Sequence, residues 1–295
     1  MTGYVEYEGD VYRPPSEARS VIIQATIGCS HNRCTFCCMY RNKRFRVREL
    51  AAVERDLVNA ASLYPGAKRL FLADGNALVA DGDFLVAVLK KARAVFPTLE
   101  RVAIYAGPQD ILDKGLTELR QLAQVGLDMV YLGLESGSDT VLKMVAKGAT
   151  AEQMIQAGLL VKEAGMLLSV MVILGLGGKE FSAEHARETA RVLSVIDPPY
   201  AAALTLLLDE RAPLYRQVQQ GRFQPLSPMA SLAELRAMIA GLEVTNCVFR
   251  SNHASNYLPV RGTLPEDKPA LLQAIDTVLA RQDPDLLRPE GWRAF

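Results

Sequence analysis

Six apolar runs of strand length between Val21 and Leu208 are separated by amphipathic stretches of helical period, and this alternation decides the fold class. The strand candidates are residues 21–27, 69–73, 101–106, 129–134, 167–174 and 201–208. Helices are expected over 48–63, 81–95, 110–125, 138–147 with 151–164, and 182–196. The strands are apolar nearly throughout, as strands covered on both faces must be. The expected fold is therefore α/β, a partial parallel (β/α)6-type TIM-like barrel with a C-terminal α/β extension. A closed eightfold barrel takes about 250 residues, and the six clear units end near Arg211.

This pattern divides the chain into an N-terminal extension (1–20), a barrel core (21–215) and a C-terminal segment covering the barrel mouth (216–295). The last segment holds a helix over 231–243, a short strand over 246–250, a polar loop over 251–262, a helix over 267–281 and a Pro- and Arg-rich surface tail over 283–295. In such folds the chemistry sits where strands end and loops begin.

Thirty-three Lys and Arg balance 33 Asp and Glu, so no global positive field supports nucleic-acid binding. No run approaches the roughly 20 apolar residues of a membrane span, and the start of the chain is acidic and polar. The expectation is an unprocessed cytoplasmic chain with no membrane partner.

Four of the five cysteines, Cys29, Cys34, Cys37 and Cys38, fall within ten residues, directly after the first strand. Three thiolates at Cys29, Cys34 and Cys37 can satisfy three irons of a [4Fe–4S] cube and leave the fourth open for chemistry. The alternative is a closed zinc site that adds Cys38 or His31. Cys38 reads as a small buried residue or as an alternative ligand.

A strand followed by a cysteine loop ending in Cys34-Thr35-Phe36-Cys37 resembles the radical S-adenosylmethionine (radical SAM) superfamily, in the branch of oxygen-independent coproporphyrinogen oxidase. The usual loop has three residues between its first two cysteines, whereas this one has four. Ala73-Asp74-Gly75-Asn76, after the second strand, resembles the Gly-Gly-Glu motif that holds the methionine amino group. Gly133-Leu134-Glu135-Ser136-Gly137, after the fourth, resembles a stretch whose polar residues meet the ribose or the methionine. The end of the fifth strand, with Leu174 and Gly175, resembles the segment that packs on adenine. Lys147 stands where relatives often have an arginine for the methionine carboxylate, and Phe36 and Tyr105 complete the cofactor-facing set.

The resemblance implies a [4Fe–4S] cluster on Cys29, Cys34 and Cys37, and reductive cleavage of S-adenosylmethionine to a 5′-deoxyadenosyl radical that takes hydrogen from a small-molecule or peptide substrate. The alternatives are transfer of a 3-amino-3-carboxypropyl or methyl group with the same cluster, and a structural metal protein without catalysis. The basic run Arg41, Lys43, Arg44, Arg46 and Arg48 is either a solvated face or a docking patch for a flavodoxin- or ferredoxin-type electron donor or a phosphate-bearing substrate. The polar segment from Thr245 to Tyr257 offers Arg250, Asn252 and His253 as substrate contacts, or else is a loop held by its own hydrogen bonds.

Overall fold

The computed structural model describes residues 4–294. Its strands are β1 (Val21–Gln24), β2 (Thr26–Ile27), β3 (Arg46–Val47), β4 (Arg69–Ala73), β5 (Arg101–Ala106), β6 (Met129–Glu135), β7 (Leu167–Leu174), β8 (Tyr200–Thr205), β9 (Cys247–Ser251) and β10 (Val260–Leu264). The helices are α1 (Leu50–Leu63), α2 (Gly82–Val95), α3 (Pro108–Gln124), α4 (Asp139–Met144), α5 (Ala151–Glu163), α6 (Gly178–Ile196), α7 (Pro213–Gln219), α8 (Pro228–Gly241) and α9 (Lys268–Arg281). Eight strands form a sheet in the order β1-β4-β5-β6-β7-β8-β9-β10, and β2 pairs with β3. Strand neighbours run parallel in β1–β4, β4–β5, β5–β6, β7–β8 and β8–β9, and β10 closes the edge antiparallel to β9.

All six expected strands are present. The first is broken after Gln24, because Thr26 and Ile27 leave the main sheet to pair with Val47 and Arg46. The loop expected over 251–262 contains the start of β10, and α7 is an additional helix.

The chain forms two compact units, and each has its own logic. The first comprises the described residues up to Asn32 together with Met39–Leu132 and Leu159–Leu168. Here α2 buries Leu85, Val88, Leu89 and Ala92, one apolar stripe of helical period, and starts at Asp81, whose carboxylate accepts from the Asp83 amide at 2.9 Å. Phe71, Tyr105 and Tyr131 meet edge-to-face with centroids 4.9–6.0 Å apart. Beside them sits Glu17, fully buried in the 3-10 turn Pro15–Glu17. It accepts from Tyr131 Oη at 2.6 Å and bonds the Ser20 hydroxyl and the Arg101 guanidinium. Burial and the Glu17 charge push the Tyr131 phenol well above its ordinary pKa.

The second unit comprises Arg33–Cys38, Gly133–Gly158 and the described residues from Ser169 onward. Its strands alternate strictly. Val170, Val172, Leu174, Ala201, Ala203, Cys247, Phe249 and Leu264 are buried, whereas Met171, Ile173, Ala202, Leu204 and Val248 are half-buried on the opposite face. Helix α8 packs on α6 and α9, and α9 on β10.

The C-terminal residues are docked rather than a loose surface tail. Arg288 Nη1 donates to the carbonyls of His253, Ala254 and Asn256 at 2.6–2.9 Å. Arg293 donates to the carbonyls of Ser255 and Leu206 and to Tyr257 Oη, each at 2.6 Å, and its guanidinium lies 4.2 Å from the Tyr257 ring centroid. The arginines that made 283–295 look solvated instead satisfy loop carbonyls that would otherwise lack donors. Among the described residues no helix is long and apolar enough to cross a membrane.

Removing the Glu17 carboxylate leaves Arg101, whose side chain is 18% exposed, without its anion. Glu17→Ala is expected to cost about 3 kcal/mol in urea unfolding, and the double replacement Glu17→Met with Arg101→Met distinctly less than the sum of the single ones. Additive losses would show that the pair is not coupled.

Candidate cofactor site

The residues that follow β4 hold the start of the cysteine loop. Asp74 is fully buried, and its carboxylate accepts from the Gly28 amide at 2.9 Å, Lys43 Nζ at 3.0 Å and Gln24 Nε2 at 3.1 Å. The Gly75 amide donates to the Gly28 carbonyl at 3.2 Å. Asn76 Nδ2 donates to Ser30 Oγ and to Asp110 Oδ2, both at 2.6 Å, and Asn76 Oδ1 accepts from the Gly107 amide at 2.8 Å. Gly75 must be glycine, because a β-carbon there would enter the Tyr40 ring. The side chains of Asp74 and Asn76 are thus engaged in anchoring the loop.

This arrangement also explains the basic run. Lys43 is buried on Asp74 and also donates to the Asp10 carbonyl, Arg41 donates to the Asn32 carbonyl, Arg46 pairs with Glu8, and Arg48 pairs with Asp56 and the Gln24 carbonyl. Four of the five cations serve the chain itself, which removes the charge argument for a docking patch at this place.

Cys29, Cys34 and Cys37 are half-buried and none is in a disulfide. The Cys37 amide closes a turn on the Cys34 carbonyl at 3.3 Å, and Thr35 is pinned by its amide to the Val145 carbonyl and by its carbonyl to the Leu214 amide. Phe36 packs on Val141, Val145 and Leu176. Cys38 differs from the other three: it is buried, with Arg211 Nη2 3.7 Å from its sulfur, and burial with the nearby Asp209 carboxylate raises its thiol pKa. Arg211 in turn lowers Asp209 to about 2. Burial and the Arg211 contact set Cys38 apart from the three half-buried cysteines.

Among the described residues no group of three or more His, Cys, Asp or Glu is arranged to hold a single metal ion, which a closed zinc site requires. A four-iron cube takes each thiolate on a different iron. Three half-buried cysteines outside any disulfide are the donor set such a cube takes.

In the second unit, Lys147 Nζ lies 3.0 Å from Glu135 Oε1, with both side chains under 15% exposed. Glu135 ends β6 in the left-handed region (φ 62), and a β-carbon at Gly133 would strike its carboxylate. Ser136 is fully buried, and its hydroxyl is bonded to His185 Nδ1 at 2.8 Å and to the Ser138 amide at 3.0 Å. Ser138 caps α4, accepting from the Val141 amide at 3.2 Å. Tyr105, in the first unit, is half-buried in the aromatic group described above.

At the end of β7, Gly175 (φ 80) donates its amide to Glu234 Oε1 at 2.5 Å, and Ser182 Oγ donates to Oε2 at 2.5 Å. Leu174 and Gly175 line a cavity of about 310 Å³ with Thr205, Ser231, Tyr257 and Arg293. His253 turns Nδ1 back on its own loop, toward the Ser255 hydroxyl and amide at 2.9 and 3.1 Å. Burial and Arg288 lower its pKa. Arg250 and Asn252 are exposed. Sequence reasoning missed Lys43 and Glu234 as anchors, since an acid within an apolar helix and a lysine within a basic run carry no sign of a distant backbone partner.

A family model for the radical SAM superfamily matches residues 23–193. The chain belongs to that superfamily. It is 25% identical over 203 residues to the 4′-phospho-dehydrooxetanocin synthase of Priestia megaterium, covering 60% of this chain and 27% of the relative. It is 25% identical over 177 residues to the tRNA-2-methylthio-N(6)-dimethylallyladenosine synthase of Sulfurihydrogenibium, covering 58% and 39%. The chain thus spans well under half the length of these relatives. Its fold is similar to that of the radical SAM enzyme coproporphyrinogen III oxidase of Escherichia coli, with a TM-score of 0.58 at 18% identity over 76% of this chain and 53% of the other. Enzymes of this superfamily use a [4Fe–4S] cluster and S-adenosylmethionine.

Burial raises Glu234 to about 7 and lowers His185 to about 4. A carboxyl raised in the folded state contributes stability that is full below its unfolded pKa and fades as pH climbs to about 7; the depressed histidine contributes the opposite slope between about 4 and 6.5. The two nearly cancel in wild type. Glu234→Gln removes the first and the contact of Glu234 with His185 Nε2 at 3.8 Å, so from pH 5 to pH 8 the variant is expected to gain stability relative to wild type in urea unfolding. A constant difference across that range would contradict the burial effect.

Proposed function

We propose that this protein binds a [4Fe–4S] cluster through Cys29, Cys34 and Cys37 and uses it to cleave S-adenosylmethionine reductively. The observation that carries this reading is the anchored loop: three half-buried cysteines outside any disulfide follow a backbone held at Gly28 by the buried Asp74, while the fourth cysteine is buried beside Arg211. When bound, the cluster supplies the electron that opens S-adenosylmethionine to methionine and a 5′-deoxyadenosyl radical, which abstracts hydrogen from the substrate.

The chain's own residues position and shield. Glu135 and Lys147 form a zwitterionic pair suited to the ammonium and carboxylate of the methionine moiety, the one as acceptor and the other as donor. Phe36, held by Val141, Val145 and Leu176, offers an apolar surface beside the loop. The Leu174–Gly175 turn, fixed by Glu234, supplies the backbone edge expected for adenine. The exposed residues Arg250 and Asn252 belong to the substrate side in this reading, whereas His253 shapes its loop. The substrate is a small molecule or peptide, the reductant is a flavodoxin- or ferredoxin-type protein, and a reducing, cytoplasmic compartment keeps the thiols free.

Anaerobically reconstituted protein, reduced with dithionite in the presence of S-adenosylmethionine, is expected to release methionine and 5′-deoxyadenosine, and Cys34→Ala protein none. Methylthioadenosine or S-adenosylhomocysteine as the main product would replace hydrogen abstraction with group transfer, and no product at all would leave a structural metal site.

A further inference from the structure

Two arginines on the second unit have no function in the reading above that requires them to stand together. Arg250 in β9 and Arg261 in β10 are directly opposed partners in the antiparallel ladder, so their side chains leave the same face of the sheet as neighbours. That face is the open one. Arg250 is also in register with Ala202 of β8, which is in register with Met171 of β7, giving the row Met171, Ala202, Arg250, Arg261. Both arginines are exposed, and among the described residues neither makes a hydrogen bond or ion pair. Some other exposed arginines pair with carboxylates, as Arg236 does with Asp276 and Arg191 with Glu188. The nearby Asp267 sits against Gly262, whose neighbours in the strand point to the other face, and accepts from the Thr263 amide.

Like charges directly opposite one another in a ladder destabilise it. Here they stand one residue before the end of the short strand β9, level with Ala202, the third of six residues in β8, and so on the open face below the strand ends. Beside them the same face is apolar and open: Ala202 is small, and Met171, Ile173 and Leu204 are half-buried. We propose that Arg250 and Arg261 bind the phosphoryl group of the substrate, which is a phosphate monoester with an apolar body. A monoester carries close to two negative charges at neutral pH and three acceptor oxygens, enough to balance two guanidinium forks, each bidentate. A carboxylate or a backbone phosphodiester carries one charge and leaves one arginine uncompensated. This substrate class rests on the function proposed above, but the site itself can be tested without the cluster.

The test uses phenylglyoxal labelling of the full chain, with the rate at each arginine read by peptide mass spectrometry. Phenyl phosphate is the probe, and dimethyl phosphate and malonate at equal ionic strength are the comparisons. With the probe at about ten times its dissociation constant, labelling of Arg250 and Arg261 is expected to slow by about tenfold, while Arg187 and Arg191 are unaffected. Arg261→Gln is expected to abolish protection of Arg250 and to melt no lower than wild type without ligand, since it relieves the repulsion. The same protection in Cys34→Ala protein would establish the site even where the cluster reading fails. Absent protection, equal protection by dimethyl phosphate or malonate, or an Arg261→Gln protein that still protects Arg250 would overturn the proposal.

Discussion

The buried carboxylate of Asp74 is the interaction on which the first unit's chemistry depends. It joins the end of β4 to β1 through Gln24, to the start of the cysteine loop through the Gly28 amide, and to the chain beyond that loop through Lys43. With an ammonium and an amide donating to it, the carboxylate is compensated where burial would otherwise make it costly. The loop is thereby fixed before any cofactor arrives, and fixed ligands lose less conformational freedom when they bind. Gly75 and Asn76 extend the hold to Gly28 and Ser30, so the three residues after β4 act together as a clamp.

The second unit uses the same device at two further strand ends. Ser136 and His185 brace the turn after β6, which leaves Glu135 free to meet Lys147. Glu234 reaches from α8 to the Gly175 amide after β7. In each case a polar group that is itself buried orients a backbone, and the neighbouring exposed or half-exposed group is left for a ligand. Ser136, Asp74 and Asn76 thus brace backbone, while Glu135 and Lys147 pair with each other.

Much of this fold was legible because the strands are apolar and the helices periodic: 69–73, 101–106 and 167–174 match β4, β5 and β7 residue for residue. The errors have physical causes. Residues 25–27 read as a continuation of β1, but pairing with β3 pulls them away, and no local propensity encodes that long-range choice. β10 hid in a polar segment because its Arg261 and Thr263 lie on the open face. The thiols, Glu135 and Lys147 could be recognised from spacing and resemblance. That Asp74 and Asn76 serve the loop could not, since their partners lie 31 to 50 residues away in sequence.

The central claim is that Cys29, Cys34 and Cys37, and not Cys38, hold a four-iron cluster. Counting iron, acid-labile sulfide and zinc per chain after anaerobic reconstitution of wild type, Cys34→Ala and Cys38→Ala tests it most directly. About four irons and four sulfides in wild type and Cys38→Ala, with loss of both in Cys34→Ala, is the expected result. One zinc per chain, or a Cys38→Ala protein as empty as Cys34→Ala, would contradict it.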